Sequence, residues 1–328
     1  MLIRKRNYRW NFYPTEELLS NPIHQTFAQG PQVLFIEGII RVFFSTRFLD
    51  SQNSYISVPK FVDLNFENNQ IISKSEELVI RLGKLGTYCE HGIFPLNILE
   101  VKNQILGYVS GWSRRQSVSV ETAIGLAESV DHGRTFEHRG SGPILAACPQ
   151  EPFLVCDPNV RFIGNRFHMW YIFGTRWSLH NGGHYERTYR IGHAESHDGI
   201  SWYRLQPGHE LIPTILEDEA QAMPSVVELE KDLFLMVFCY RETFDFRQGK
   251  ERGYRLGWAI SYNLMNWERR DDLISLEFPS WANEMQCYPN INVIGDKVVL
   301  FLNGNRFGRD GLGSCTFDRK ELIDEARL

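Results

Sequence analysis

The chain has 328 residues, of which 43% are hydrophobic and 23% charged, and its formal net charge is −5. This balance is typical of soluble globular proteins. The sequence has no long run of one charge and no apolar stretch long enough to span a bilayer. We therefore expect neither a nucleic-acid partner nor a membrane partner.

The first ten residues are basic and lack the apolar segment of a secretion signal. Six cysteines are scattered without the paired spacing of a zinc site or the pattern of a disulfide framework. We therefore expect a cytoplasmic protein with no metal ion and no other cofactor.

A repeat runs along the chain. Five segments share a proline, an apolar β-rich stretch, a turn, a second β-rich stretch and an arginine. The prolines lie 63 to 66 residues apart, at Pro31, Pro95, Pro158, Pro224 and Pro289. The closing arginines are Arg47, Arg114, Arg176, Arg241 and Arg306. Helix signals are confined to residues 15–19 and 319–327.

A third strand follows in the middle units, beginning near Ile124, Ile191 and Leu256, and turn-like links lead from it to a fourth strand. Four strands in each of five similar units predict an all-β fold, a five-bladed β-propeller with four-stranded antiparallel blades. The constant long period disfavours a β-sandwich or a β-helix. We expect one domain over residues 1–328, with the blades starting near the five prolines.

Acidic residues precede four of the five prolines. Glu90, Glu219 and Glu284 each lie five positions before a proline, and Asp157 directly precedes Pro158. In a propeller, the start of each innermost strand lies beside the end of the second strand, so these acids and the five arginines should surround one opening. Carboxylic acids at a channel mouth suit general acid–base catalysis on a sugar, and these four are the predicted catalytic residues.

The predicted substrate-binding residues are the five arginines together with His91, Tyr288 and Trp281, and His24 lies nearby in the sequence pattern. Inward-facing arginines can hold phosphate or a substrate carboxylate through bidentate contacts. Two alternatives stay open. The arginines can instead pair with acids and lock the blades together, and the aromatic side chains can belong to the core between the blades.

Two groups of motifs carry a family resemblance. The strand opening Cys156-Asp157-Pro158 and the phrases that begin at Ile124 and Ile191 resemble motifs of the five-bladed propeller glycosidases, which include glycoside hydrolase families 32, 43, 68 and 130. The resemblance covers nearly the whole chain. For families 32 and 43 it implies an aspartate in blade 1 as nucleophile or base, an aspartate in blade 3 that tunes the pKa and fixes the substrate, and a glutamate in blade 4 as acid.

Asp157 matches the aspartate of blade 3, and Glu219 lies in the blade of the acid. Gln29 and Gly30 stand where the resemblance implies the aspartate of blade 1, so the chain lacks at that position the carboxylate that hydrolysis in families 32 and 43 uses. The resemblance to family 130 instead implies a phosphorylase with one carboxylic acid, in which basic residues hold the attacking phosphate.

The leading hypothesis is a carbohydrate-active enzyme that acts on a glycosidic bond, of hydrolase or phosphorylase type. Its ligand would be an anionic sugar, phosphate or a nucleotide-sugar in an arginine-lined central funnel. The alternative is a non-hydrolytic propeller that binds a glycan or has another role in polysaccharide biosynthesis. A further carboxylate near Gln29 would favour the enzyme, and a neutral wall there would count against it.

Overall fold

The computed structural model describes residues 8–21, 25–36, 38–248 and 251–328. The basic residues 1–7 and His24 lie outside these ranges. Within them the chain forms a five-bladed β-propeller of four-stranded antiparallel blades, as the repeat predicts. Each innermost strand contacts the innermost strand of the next blade, and the last contacts the first, so the circle is closed.

Strand β1 (Trp10–Pro14) and helix α1 (Thr15–Leu18) precede the first blade. The strands of blades 1 to 4 follow in chain order from the channel outward. Blade 1 has β2 (Thr26–Ile36), β3 (Ile39–Leu49), β4 (Tyr55–Asn65) and β5 (Ile71–Lys74), and blade 2 has β6 (Gly92–Val101), β7 (Gln104–Arg114), β8 (Val120–Ser129) and β9 (Glu137–His138). Blade 3 has β10 (Val155–Ile163), β11 (Arg166–Leu179), β12 (Tyr185–Ser196) and β13 (Tyr203–Arg204), and blade 4 has β14 (Glu219–Glu230), β15 (Leu233–Glu242), β16 (Arg255–Ser261) and β17 (Glu268–Arg269).

Blade 5 is assembled from both ends of the chain. It contains β18 (Cys287–Ile294), β19 (Lys297–Asn303) and β20 (Gly311–Asp318), and β1 pairs along β20 as its outer strand. The fifth unit looks short in the sequence because its fourth strand lies some 300 residues upstream. This pairing joins the first and last segments of the propeller by backbone hydrogen bonds.

The helices agree with the sequence-based expectation to within one residue. Helix α2 (Arg319–Ala326) follows β20 and is capped by the Asp318 side chain, which accepts the Glu321 N–H. A 3₁₀ turn (Asn305–Gly308) lies between β19 and β20. None of the helices within the described ranges is long and apolar enough to cross a bilayer.

Each innermost strand is bulged at its repeat proline, where the pairing register with the second strand shifts. The residues directly before the five prolines are Gly30, Phe94, Asp157, Met223 and Tyr288. All but Phe94 have positive φ, which is uncommon for residues other than glycine. A bulge redirects the side chain at its position, and here it brings the five residues to one level of the channel.

Gly30 shows how tightly this level is packed. A Cβ atom at Gly30 would lie 2.9 Å from the ring of Phe94 and 3.0 Å from the terminal methyl group of Met223. The pre-proline residues of blades 1, 2 and 4 therefore meet across the channel, and position 30 has no room for a side chain.

Below the bulges, a ring of side-chain hydrogen bonds connects all five blades. The Asn97 amide donates to Gln32 Oε1 at 2.8 Å, and Asn97 Oδ1 accepts the Val160 N–H at 2.9 Å. The remaining bonds are Val226 N–H to Asn159 Oδ1 (2.9 Å), Ile291 N–H to Ser225 Oγ (3.0 Å) and Asn290 Nδ2 to Gln32 Oε1 (3.2 Å). All five polar side chains are buried, so the ring pairs groups that have no access to water, with Asn159 Nδ2 left without a partner among the described residues.

The ring predicts a stability cost for Asn159→Ala. The substitution leaves the buried Val226 N–H without its acceptor, and we expect the free energy of unfolding to fall by about 1–3 kcal/mol in urea titrations. Asn266→Ala, at an exposed asparagine, is the control and should change it little. Equal effects of the two substitutions would show that the ring does not stabilise the propeller.

Candidate active site

A cavity of about 380 Å³ lies at the level of the bulges, at the mouth of the channel. Its charged lining residues are Asp157, Arg47, Arg187 and Arg247. Most of the remaining wall is aromatic and consists of Phe27, Tyr55, Phe94, Trp112, Tyr189, Phe246, Tyr254, Tyr288 and Phe307. Among the described residues, Asp157 is therefore the one carboxylate in a wall that holds three guanidinium groups.

Asp157 is 7% exposed and has a φ of +53°. Its carboxylate accepts the Met223 N–H at 3.2 Å, and its own N–H donates to Ser110 Oγ at 3.3 Å. Burial raises the pKa of Asp157 to about 7, although the Met223 hydrogen bond and the charge of Arg187 act in the opposite direction. A carboxyl group with this pKa can give up or accept a proton near neutral pH, as a general acid or base must.

The three arginines come from three different parts of the chain. Arg47 lies near the end of β3, Arg187 lies on β12, and Arg247 lies in the connection between β15 and β16. Burial lowers the pKa of Arg47, and the positive charges of Arg187 and Arg247 lower it further. The three groups are therefore close enough to repel one another, which favours a bound anion between them.

The arginines differ in what neutralises them. Arg247 is paired with the buried carboxylate of Glu186, and its guanidinium lies 4.1 Å from the centre of the Phe246 ring. Arg187 donates to Ser119 Oγ at 3.1 Å, and Arg47 lies 5.3 Å from the ring centre of Phe27. Within the described ranges, neither Arg47 nor Arg187 has a carboxylate at ion-pair distance, so the cavity has an excess of positive charge.

The wall at Gln29 carries no acid. The Gln29 side-chain amide donates to the Phe307 carbonyl at 2.5 Å and is thereby turned toward the loop of blade 5. Gly30 has no side chain, and its neighbourhood is filled by Phe94 and Met223. Among the described residues no second carboxylate takes the place that the resemblance assigns to a blade 1 aspartate.

The expected convergence of four acids and five arginines on one opening is therefore only partly observed. Asp157, Arg47 and Tyr288 line the cavity. Glu284 and Arg306 line an adjoining outer cavity, which shares Phe27, Phe246, Arg247 and Phe307 with the inner one.

Glu219 and Glu90 have local partners instead. The fully buried Glu219 carboxylate pairs with Arg269 at 2.7 Å and accepts the N–H groups of Ile215 and Leu216. The Glu90 carboxylate lies 3.0 Å from the ring of His91, and neither residue lines the cavity. The His91 ring stacks on Trp112, which does line the cavity. Both acids contact a cation or imidazole that the repeat pattern does not reveal.

The other predicted binding residues point elsewhere. Arg114 pairs with Asp50 at 2.9 Å, and Arg176 pairs with Asp218 at the surface. A bulge between Gly174 and Arg176, within β11, changes the side-chain direction at Arg176. Arg241 is buried behind the cavity wall, and Trp281 packs against Trp10 and Phe12 of β1.

The repeat does not indicate Arg187 and Arg247, because both lie outside the repeated segments. Arg187 belongs to an extension of the β11–β12 hairpin, in which Trp177 pairs with Arg187. The sequence signal that could have indicated this extension is the longer link in this unit, because Ile191 follows Arg176 at a greater distance than Ile124 follows Arg114. In the structure β11 continues past Arg176 to Leu179. In the part of the chain that the structure describes, no three His, Cys, Asp or Glu side chains lie together as a metal site requires.

Comparison with known proteins supports the fold at low sequence identity. A solved glycoside hydrolase has a TM-score of 0.68 at 15% identity, over 89% of this chain and 87% of that one. A β-1,2-mannobiose phosphorylase from Listeria innocua has a TM-score of 0.63 at 12% identity, over 97% and 99%. A thermostable family-43 glycoside hydrolase has a TM-score of 0.61 at 13% identity, over 90% of each chain.

No family model and no curated protein matches the sequence. The chain thus shares the β-propeller fold of these solved structures, as its repeat predicts.

The raised pKa of Asp157 predicts a pH-dependent effect of Asp157→Asn. The folded wild type binds this proton more tightly than the unfolded chain does, so its stability should fall as the pH rises from 3.8 to about 7. The amide removes this dependence and keeps an oxygen for the Met223 N–H. At pH 8 the variant should be the more stable protein, by up to about 4 kcal/mol at 1.36 kcal/mol per pKa unit.

Urea titrations of both proteins at pH 4, 6 and 8 measure this difference, which should shrink toward zero at pH 4. A variant that is several kcal/mol less stable than wild type at pH 8 would instead identify Asp157 as the partner of a buried cation.

Proposed function

We propose that this protein is a carbohydrate-active enzyme that acts on a glycosidic bond, with Asp157 as its general acid. Arg47, Arg187 and Arg247 would hold an anion beside the bond, either phosphate or an acidic group of the sugar ligand. The observation that carries the proposal is the composition of the cavity wall, in which one buried carboxyl group with a pKa of about 7 faces three guanidinium groups.

The single carboxyl group favours phosphorolysis over hydrolysis. Hydrolysis by the usual route needs a second carboxylate, as nucleophile or as the base that activates water. Phosphate is itself a nucleophile. It needs positively charged groups that bind it, and it does not need a base that activates it. The excess of positive charge at Arg47 and Arg187 meets that need, and Asp157 can protonate the leaving oxygen.

The aromatic wall suits a sugar. Faces of aromatic side chains pack against the C–H groups of a pyranose ring, and their apolar surface excludes water from the reacting bond. Phe94 and Tyr288 are pre-proline residues of blades 2 and 5, and Phe307 and Trp112 line the cavity beside them. The structurally similar protein from Listeria innocua is a β-1,2-mannobiose phosphorylase. This lends support to a glycoside as substrate here.

The neutral wall at Gln29 and Gly30 supports a second candidate, a non-hydrolytic propeller that binds an anionic glycan. In that case Asp157 would accept hydrogen bonds from sugar hydroxyls. The two candidates differ in turnover, since binding alone consumes no phosphate and releases no sugar.

We also place the protein in the cytoplasm, because its six cysteines are all unpaired thiols, as is usual in a reducing compartment.

Turnover is tested by incubating the protein with a panel of oligosaccharides, with and without inorganic phosphate, and following the ³¹P NMR signal. We expect a sugar phosphate to form, and Asp157→Asn to reduce its rate on the order of 10²–10³-fold. Formation of free reducing sugar without phosphate would contradict phosphorolysis, and no reaction of any glycoside would favour the binding protein.

The anion site is tested separately by melting. Inorganic phosphate at millimolar concentration should raise the melting temperature of the wild type, because a ligand that binds the folded state stabilises it. Arg47→Met should abolish most of this shift. Arg176→Met, at the equivalent repeat position but outside the cavity, is the matched control and should keep it. A shift caused by neutral sugars but not by anions would overturn the arginine assignment.

A further inference from the structure

A buried cation lies directly behind the cavity wall. Arg241 is 1% exposed, and within the described ranges no carboxylate lies at ion-pair distance from it. Its five N–H groups donate to the carbonyls of Glu242 (2.7 Å), Thr243 (3.1 Å) and Arg187 (3.3 Å), and to the hydroxyls of Tyr189 (3.0 Å) and Tyr254 (3.3 Å). Its charge is therefore solvated only by these dipoles and by the Phe246 ring, whose centre lies 3.6 Å from the guanidinium, an arrangement that is costly unless a negative charge comes near.

The two tyrosines connect this cation to the cavity. Tyr189 and Tyr254 both line the cavity and hold equivalent places in the repeat, in the sequences Tyr-Arg-Ile-Gly and Tyr-Arg-Leu-Gly. Their hydroxyl oxygens lie 3.0 Å apart, so one hydroxyl donates to the other. Arg241 donates to both oxygens.

The hydroxyl groups of Tyr189 and Tyr254 have one proton more than their hydrogen bonds use. The pair has two hydroxyl protons, and one of them is used in the bond between the tyrosines. Both oxygens already accept from Arg241, and the guanidinium can only donate. Among the described residues, the second proton has no acceptor, and it belongs to one of two tyrosines that line the cavity. Burial raises the pKa of Tyr254, so its hydroxyl stays protonated as a donor.

We propose that Tyr189 and Tyr254, held and polarised by Arg241, donate a hydrogen bond to an anionic oxygen of the ligand. The site thereby gains a fourth positive charge that never touches the ligand. This inference rests on the proposed function and adds a recognition element to its anion site. An anionic oxygen is favoured over a neutral sugar hydroxyl because hydrogen bonds to charged groups are stronger and because the charge of Arg241 is poorly screened in the buried wall.

The test measures binding of inorganic phosphate by isothermal titration calorimetry. Tyr189→Phe and Tyr254→Phe each keep the ring and remove one hydroxyl, and the double variant removes both. We expect the double variant to bind phosphate about tenfold more weakly than wild type, the size of one hydrogen bond to a charged group, and each single variant to lie between. Tyr203→Phe removes a hydroxyl from a tyrosine that is 72% exposed on β13 and should bind like wild type.

Melting without phosphate separates recognition from folding. A purely structural role of the tyrosines predicts variants that melt lower but bind phosphate with the wild-type dissociation constant, and that result would overturn the inference while the proposed function stands. If the double variant does not fold, the single variants decide in the same way. Failure of the wild type to bind phosphate would overturn both the inference and the anion site on which it rests.

Discussion

The innermost strands of the propeller are joined by side chains rather than by a continuous sheet, and the rest of the structure depends on this. Each of these strands has one edge that pairs within its own blade and another that faces the next blade. Buried N–H groups on the facing edge need acceptors, and Asn97, Asn159 and Ser225 provide them for the N–H groups of Val160, Val226 and Ile291. Gln32 closes the circle by accepting from Asn97 and Asn290.

This ring holds the bulges above it at a common height. Asn159 follows Pro158 directly and is tied to blade 4, so Asp157 has little freedom to move along the channel. The carboxylate of Asp157 is in turn hydrogen bonded to the backbone of Met223, the pre-proline residue of blade 4. A buried acid held in this way keeps a raised pKa because neither water nor a direct ion pair can stabilise its charge.

The charged side chains of the site come from blades that surround the bulges. Blade 1 contributes Arg47, blade 3 contributes Arg187, and the connection within blade 4 contributes Arg247. Glu186 neutralises Arg247, whereas Arg47 and Arg187 are not matched by a carboxylate in the part of the chain that the structure describes. An interior that is aromatic on most sides and cationic on the remainder selects for a ligand with an apolar face and a negative group.

The fold could be predicted from the sequence because the prolines that mark the repeat have a structural reason to recur in every blade. Each repeat proline lies at the bulge of an innermost strand, where a backbone N–H is not needed by the ladder. The closing strand could not be predicted in the same way, since β1 is separated from its partner β20 by almost the whole chain.

The site was only partly predictable. The sequence indicates Asp157 because its position before Pro158 determines its height in the channel, and it indicates Arg47 because that residue closes a regular strand pair. Glu219 carries the same sequence signal as a site acid, but its partner Arg269 lies on the outermost strand of the same blade, and no repeat position indicates that contact. Arg187 and Arg247 lie in hairpin extensions, whose direction depends on tertiary contacts such as the Glu186–Arg247 pair.

The central claim is that an anion binds between Arg47 and Arg187, within reach of the carboxyl group of Asp157. A crystal structure determined with inorganic phosphate tests it most directly. We expect phosphate in the inner cavity, in contact with both guanidinium groups, on the side of the channel where Asp157 lies. Phosphate bound instead at Arg306 and Arg309 in the outer cavity, with the inner cavity filled by water, would contradict it.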